Sequence, residues 1–354
     1  MNETIQITPR QKAIVKLLAT GVGEKSRDAI AQKLPSMLSA SKATLARDLA
    51  ALLKDKLVLA VGKGPNTIYK LIPGHPLLTY VDLAEYFALE PDARKQAKTK
   101  FDPTIFEKII GVISKHERQE LQTIFRSFSE TTRRLDHSIL ERELERYVIE
   151  LSWKSSKIEG NTYTLLETEN LIKQGEQAVG HTQQEALMIL NHKEAFKTIL
   201  NYRADFQKLS ISNILELHNT LTKGLNIVSG IRKHPVGITG TTYRPPENEW
   251  EIREAFERMI DVINRIDYPL EKALLATSLI AYIQPFADGN KRTARMLSNA
   301  LLLAHDYFPL SYRSIDENEY KEALILFFET NNLYHIKRLF LEQYRFALKT
   351  YFVS

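Results

Sequence analysis

The 354-residue chain contains no cysteine. That excludes disulfides and thiolate-bound zinc, and makes a reducing cytoplasmic compartment the expected home. No apolar run approaches the ~20 residues of a membrane-spanning helix, and Met1-Asn2-Glu3-Thr4 opens neither a signal nor a transit peptide. Internal repeats and low-complexity tracts are also missing. Nor is there a large excess of one charge: 48 Lys and Arg against 43 Asp and Glu leave a net +5. Such a balance permits an anionic partner without requiring one. What is present is a 44% hydrophobic composition, enough for more than one core, on a length that suits roughly two or three domains.

The most informative stretch is Gln284-Pro285-Phe286-Ala287-Asp288-Gly289-Asn290-Lys291-Arg292, continuing Thr293-Ala294-Arg295. An apolar run without Gly or Pro (273–283) precedes it, and a segment of helical periodicity (293–305) follows. Between two such helices the Asp-Gly-Asn turn exposes unpaired backbone N–H groups at a helix N-terminus, which is an anion site. Gly289 permits positive φ or close approach, Arg292 and Arg295 add charge one turn apart, and Asp288 offers a hard oxygen for Mg²⁺ beside a phosphate. On chemistry alone this is a loop for a polyphosphate.

The same stretch resembles the signature of the Fic family, His-x-Phe-x-Asp/Glu-Gly-Asn-Gly/Lys-Arg-x-x-Arg. Phe286, Asp288, Gly289, Asn290, Lys291, Arg292 and Arg295 match in order without gaps, and Gln284 stands where the family has its catalytic histidine. The resemblance implies a mostly α, Fic-type helical domain that binds ATP and transfers AMP to a Ser, Thr or Tyr hydroxyl of a protein. It covers roughly residues 105–345.

Ahead of that domain, residues 1–73 read as three helices and a hairpin. Thr8-Pro9 opens the first helix, Ser26 the second and Ser41 the third, and 57–61 and 67–71 form two strands around the turn at 62–66. The pattern resembles a winged helix-turn-helix. Its DNA-facing candidates are Ser41, Lys42, Thr44 and Arg47 on the third helix and Lys63 at the wing tip; a protein-docking module is the alternative. Residues 74–103 are expected to be a linker, with the charged run 94–100 solvated. The helical body is expected at 104–354, beginning with long helices over 104–128 and 138–157.

Near the end of the second of these lies Ser155-Ser156-Lys157-Ile158-Glu159-Gly160. Ser155 and Glu159 are four apart and share a helix face, and a carboxylate at a helix C-terminus wants a cationic partner. Ser-x-x-x-Glu-Gly is similar to the Fic family's inhibitory motif in its second class, which implies a Glu159–Arg295 pair that withholds the arginine from ATP. Residues 230–246, β-branched and glycine-flanked, are expected to form a short exposed hairpin. In the Fic family this place holds the flap that pins the protein target, with Ile238 and Thr239 at the nucleotide; a counterpart of the tyrosine bordering the base is Tyr320.

Glutamine cannot accept a proton as histidine can. Two readings follow: a slow, autoinhibited adenylyltransferase, or a nucleotide-binding pseudoenzyme acting as a DNA-binding regulator. A homo-oligomer is compatible with either.

Overall fold

In a computed structural model, residues 7–19, 24–55, 57–62, 64, 67–71, 75–132 and 135–352 are described. The chain divides into two compact units, Met1–Tyr80 and Val81–Ser354.

The first unit contains α1 (Pro9–Ala19), β1 (Glu24–Ser26), α2 (Arg27–Lys33), α3 (Lys42–Lys54), β2 (Val58–Val61) and β3 (Ile68–Leu71). Ser26 caps α2 by accepting from the Ala29 amide, and Ser41 caps α3 by accepting from Thr44. Ile14, Val15, Leu18, Ile30, Leu45, Leu49 and Leu52 close one core over these helices. The strands form an antiparallel sheet in the order β1-β3-β2, with Val58 opposite Leu71 and Glu24 opposite Lys70. The strand β1 has no counterpart in the sequence reading, because three polar-flanked residues carry no period-2 signal. Lys63 lies outside the described residues.

The second unit is mostly helical. Its elements are α4 (Leu83–Phe87), α5 (Ile105–Lys108), α6 (Lys115–Thr132), α7 (His137–Ile158), α8 (Leu165–Gln174), α9 (Gln183–Asn201), α10 (Ile211–Thr222), α11 (Glu249–Arg265), α12 (Pro269–Ile283), α13 (Asn290–Ala304), α14 (Glu317–Thr330) and α15 (Tyr334–Thr350). Every residue of α12 is buried, the signature of a helix that is apolar all round and sits at the centre. The helices α11, α13, α14 and α15 pack on it, while α7, α9 and α10 pack on α13. No helix among the described residues is long and apolar enough to cross a membrane.

Three expectations need correction. The long helix over 104–128 is broken into α5 and α6 at Gly111, which has φ +89°. The amides of Gly111 and Val112 there donate to the buried Glu271 carboxylate. A reciprocal cap restarts the helix: Ser114 N–H donates to Glu117 at 2.8 Å, and Glu117 N–H to the Ser114 hydroxyl at 3.3 Å. That Ser-x-x-Glu signal was available in the sequence.

Residues 230–246 form no hairpin. Prolines 235, 245 and 246 lack a ladder donor, and the Arg232 guanidinium gathers the carbonyls of Gln284, His234 and Pro246 at 2.6–2.7 Å into a loop. The segment's one bridge joins Arg244 to Lys100, in parallel.

The charged run 94–100 is not simply solvated either. Arg94 is buried with its Nη1 3.1 Å from Glu329 Oε1 on α14, and it also donates to Gly240 O and Leu89 O. Tyr86 and Thr241 hydroxyls donate to the same carboxylate at 2.6 Å, and Lys98 N–H donates to the Glu329 carbonyl. Residues 86–98 are thereby tied to the C-terminal end of α14. Arg94→Ala leaves Glu329 without its cation, and urea unfolding of the second unit is expected to register a loss of about 3 kcal/mol. A loss within error of zero would show that the two hydroxyls suffice.

Candidate functional site: an anion cradle between α12 and α13

The cradle follows from how α12 stops and α13 starts. Gln284 caps α12 in the left-handed region (φ 49°, ψ 58°), its N–H closing on Ile280 O. Its side-chain amide turns back to donate to Ala281 O at 2.7 Å, satisfying a carbonyl the helix end leaves open. The chain then passes through Phe286, fully buried, where the His218 ring stacks at 3.8 Å. His218 Nε2 donates to Asp288 O at 2.9 Å, so this histidine supports the loop from behind.

Gly289 has φ +79°, and a Cβ there would meet Thr222 Cγ2 at 3.0 Å. Both the conformation and the space require glycine. The α13 ladder begins with Thr293 N–H donating to Gly289 O. The amides of Asn290, Lys291 and Arg292 precede it and are the donors a helix N-terminus leaves for an anion.

Side chains divide into those that shape the cradle and those that charge it. Asn290 belongs to the first group: its Oδ1 accepts from Phe286 N–H at 2.9 Å and its Nδ2 donates to Phe286 O at 2.8 Å. Buried and doubly bonded to the Phe286 backbone, that side chain holds the loop, and its backbone amide is among the donors at the start of α13. Arg292 is 3% exposed. Its Nη2 is 3.4 Å from Asp288 Oδ2, while its buried Nη1 has no hydrogen-bond partner.

Arg295 is fully buried among polar partners. Its Nε donates to Ser155 Oγ at 3.0 Å and its Nη2 to Ser155 O at 2.8 Å. The remaining nitrogen, Nη1, lies 2.8 Å from Glu159 Oε1, yet neither atom makes a well-aligned hydrogen bond. The contact is an ion pair held mainly by charge. Lys291 Nζ stands 3.8 Å from the other Glu159 oxygen. At the end of α7, Glu159 thus lies against the first turn and a half of α13. A carboxylate is unfavourable at the first place and favourable at the second. Burial pushes the Glu159 carboxyl up, but Arg295, Lys291 and Arg292 outweigh it and hold the carboxyl below its ordinary value.

The other candidates fall around this core. Tyr320 is buried, with the Arg295 guanidinium 6.0 Å over its ring. Ile238 is half-buried and Thr239 exposed; among the described residues, 236–239 enter no backbone–backbone hydrogen bond. Asp288 is 70% exposed, one oxygen accepting from Gly289 N–H. No group of three metal-type side chains gathers among the described residues. The donor set therefore suits a Mg²⁺ carried mostly by phosphate oxygens, with Asp288 as one carboxylate. In the first unit Lys42 and Arg47 are exposed on α3, Thr44 is half-buried, and Ser41 is engaged as the cap.

Two groups at the site escaped the sequence reading. Arg232 stitches the 230–246 segment to the loop, its N–H donating to Pro285 O at 3.0 Å. His192 on α9 stands behind Ser155, Nε2 to Oγ at 2.8 Å. Neither sits in a local motif; each is brought in by the fold.

Residues 208–302 match the Fic/DOC family, so the chain carries a Fic/DOC domain that contains the cradle. Among named relatives, it is similar to the protein adenylyltransferase Fic of Nematostella vectensis, 27% identical over 194 residues, covering 52% of this chain and 44% of that one. The protein of the same name from Drosophila yakuba is 30% identical over 177 residues, 49% of this chain and 36% of that one. The chain thus spans less than half the length of these curated relatives. Among solved structures, a Fic domain-containing signaling protein from Bacteroides thetaiotaomicron superposes with TM-score 0.56 at 22% identity, covering 65% of this chain and 93% of that one. Fic-1 from C. elegans gives 0.56 at 21%, covering 67% and 72%. These two share the fold.

Proposed function

We propose that this chain is a Fic-type protein adenylyltransferase, restrained by Glu159 and slowed by Gln284. The observation that carries the reading is the Glu159 carboxylate lying on Arg295 and Lys291 at the start of α13: an anion of the protein occupies the cations that a phosphate would use. One guanidinium nitrogen cannot serve a carboxylate and a phosphate at once.

With Glu159 displaced, Arg292, Arg295 and the amides of residues 290–292 would hold the phosphates of ATP. Asp288 would hold Mg²⁺, which supplies charge neutralisation. The unpaired backbone of 236–239 offers an edge on which a protein segment can lie, with Ile238 and Thr239 beside the nucleotide. In the transfer, the target's hydroxyl oxygen bonds to the α-phosphorus, the bond to the pyrophosphate oxygen breaks, and the hydroxyl proton passes to water, because Gln284 cannot take it.

A second reading is favoured by Gln284 itself, whose amide is engaged with Ala281 O. In it the domain binds ATP without transfer, and the first unit acts as a winged-helix DNA-binding module through Lys42, Thr44 and Arg47. One experiment separates the two. Glu159→Gly protein incubated with α-labelled ATP and Mg²⁺ is expected to label itself slowly. ATP bound without label, together with DNA retarded in a gel, would replace the transferase with the regulator.

A further inference from the structure

We infer that His192 is a positioning residue of the cradle: it sets the Ser155 hydroxyl so that Ser155 holds Arg295 ready for an anion. The inference rests on the reading that Arg295 receives a nucleotide phosphate.

His192 is fully buried on α9. Its Nδ1 is 2.7 Å from Met188 O and 3.4 Å from Ser156 Oγ. A carbonyl only accepts, so Nδ1 carries the ring proton. The Nε2 lone pair then faces Ser155 Oγ at 2.8 Å, and the Ser155 hydroxyl must donate to it. That leaves the oxygen's lone pairs for Arg295 Nε at 3.0 Å. With Nη2 on the Ser155 carbonyl, two of the three guanidinium nitrogens are fastened and Nη1 alone is presented to Glu159. Without an acceptor at position 192, nothing keeps the hydroxyl proton turned away from the arginine. A protonated ring would reverse the bond and set a third cation beside Arg292 and Arg295. Burial, with those two arginines adding to it, lowers the His192 pKa to about 3.

The test uses the full chain carrying Glu159→Gly, with calorimetric titration of ATP and Mg²⁺. His192→Phe keeps the volume and removes the acceptor, and should weaken ATP binding by about tenfold, the worth of a hydrogen bond to a charged group. His192→Gln restores an acceptor and should recover most of that loss. Adding His192→Phe to Ser155→Ala should cost nothing further. Additive losses, or Gln no better than Phe, would overturn the inference. Nitrogen-15 spectra of the unmutated chain give an independent readout. The imidazole should stay neutral and Nδ1-protonated from pH 8 to 5, with an Nε2 signal that moves in Ser155→Ala; a ring titrating near 6.5 would contradict it. If the Glu159→Gly protein binds no ATP, the nucleotide reading fails, and the spectra still decide the relay.

Discussion

Histidine at position 284 of the Glu159→Gly protein is expected to raise AMP transfer by about 10²–10⁴, the contribution typical of a general base. The backbone there tolerates the change. Residue 284 has φ 49°, and histidine is among the few non-glycine residues enriched in that region. What changes is the chemistry: an imidazole with an ordinary pKa of about 6.5 can take the hydroxyl proton near neutral pH, whereas the amide cannot. The cost is the buried bond from Gln284 to Ala281 O, whose loss leaves that carbonyl unsatisfied, roughly 1–3 kcal/mol. ATP affinity should stay as it was, because the arginines and the amides of residues 290–292 do not depend on the 284 side chain. A steady-state assay of the label on protein, run beside calorimetry, reads both quantities. An unchanged rate with unchanged affinity would mean that proton removal does not limit the reaction.

Removal of the Glu159 carboxylate is expected to move affinity and stability in opposite directions. Glu159→Gly should tighten ATP binding tenfold to a hundredfold, corresponding to roughly 1.5–3 kcal/mol for a charged contact that ATP no longer has to displace. The same change leaves Arg295 buried without its counter-charge and should lower stability. Tighter binding with unaltered stability would mean that the 2.8 Å pair does little in the folded protein.

The pH dependence has a definite sign. The folded Glu159 carboxyl titrates below its ordinary value, so its stabilising contribution is complete above the unfolded value of about 4.3 and is lost as pH falls through the folded one. Urea unfolding of the unmutated and Glu159→Gln proteins should therefore differ by a constant amount from pH 8 to 5, the gap closing only at lower pH. Within that range acidification does not release Arg295. A gap that closes already near pH 6 would mean the carboxyl is raised rather than lowered.

Legibility followed the range of the interactions. The helix over 137–158 and the three helices of the first unit were readable because capping and periodicity act over three or four residues. The break at Gly111 was readable in its Ser114–Glu117 cap, but the glutamate that steadies it, Glu271, is 160 residues away. The hairpin expected at 230–246 failed for the same reason. Its β-branched residues favour strand locally, yet Arg232 draws the segment toward Gln284 and Pro246.

Sequence alone determined that a glycine-turned helix start carrying Asp288, Arg292 and Arg295 exists, and that Ser155 and Glu159 share one face of a helix end. These are statements about neighbours in the chain. Only the tertiary structure decided that Asn290 braces the loop, that the Ser155 hydroxyl and carbonyl hold Arg295, 140 residues further on, beside the Glu159 contact that the family resemblance implied, and that His192 backs the serine. Packing of α7, α9 and α13 against one another brings those groups within hydrogen-bond reach, and no local periodicity encodes which distant side chains a buried guanidinium will meet.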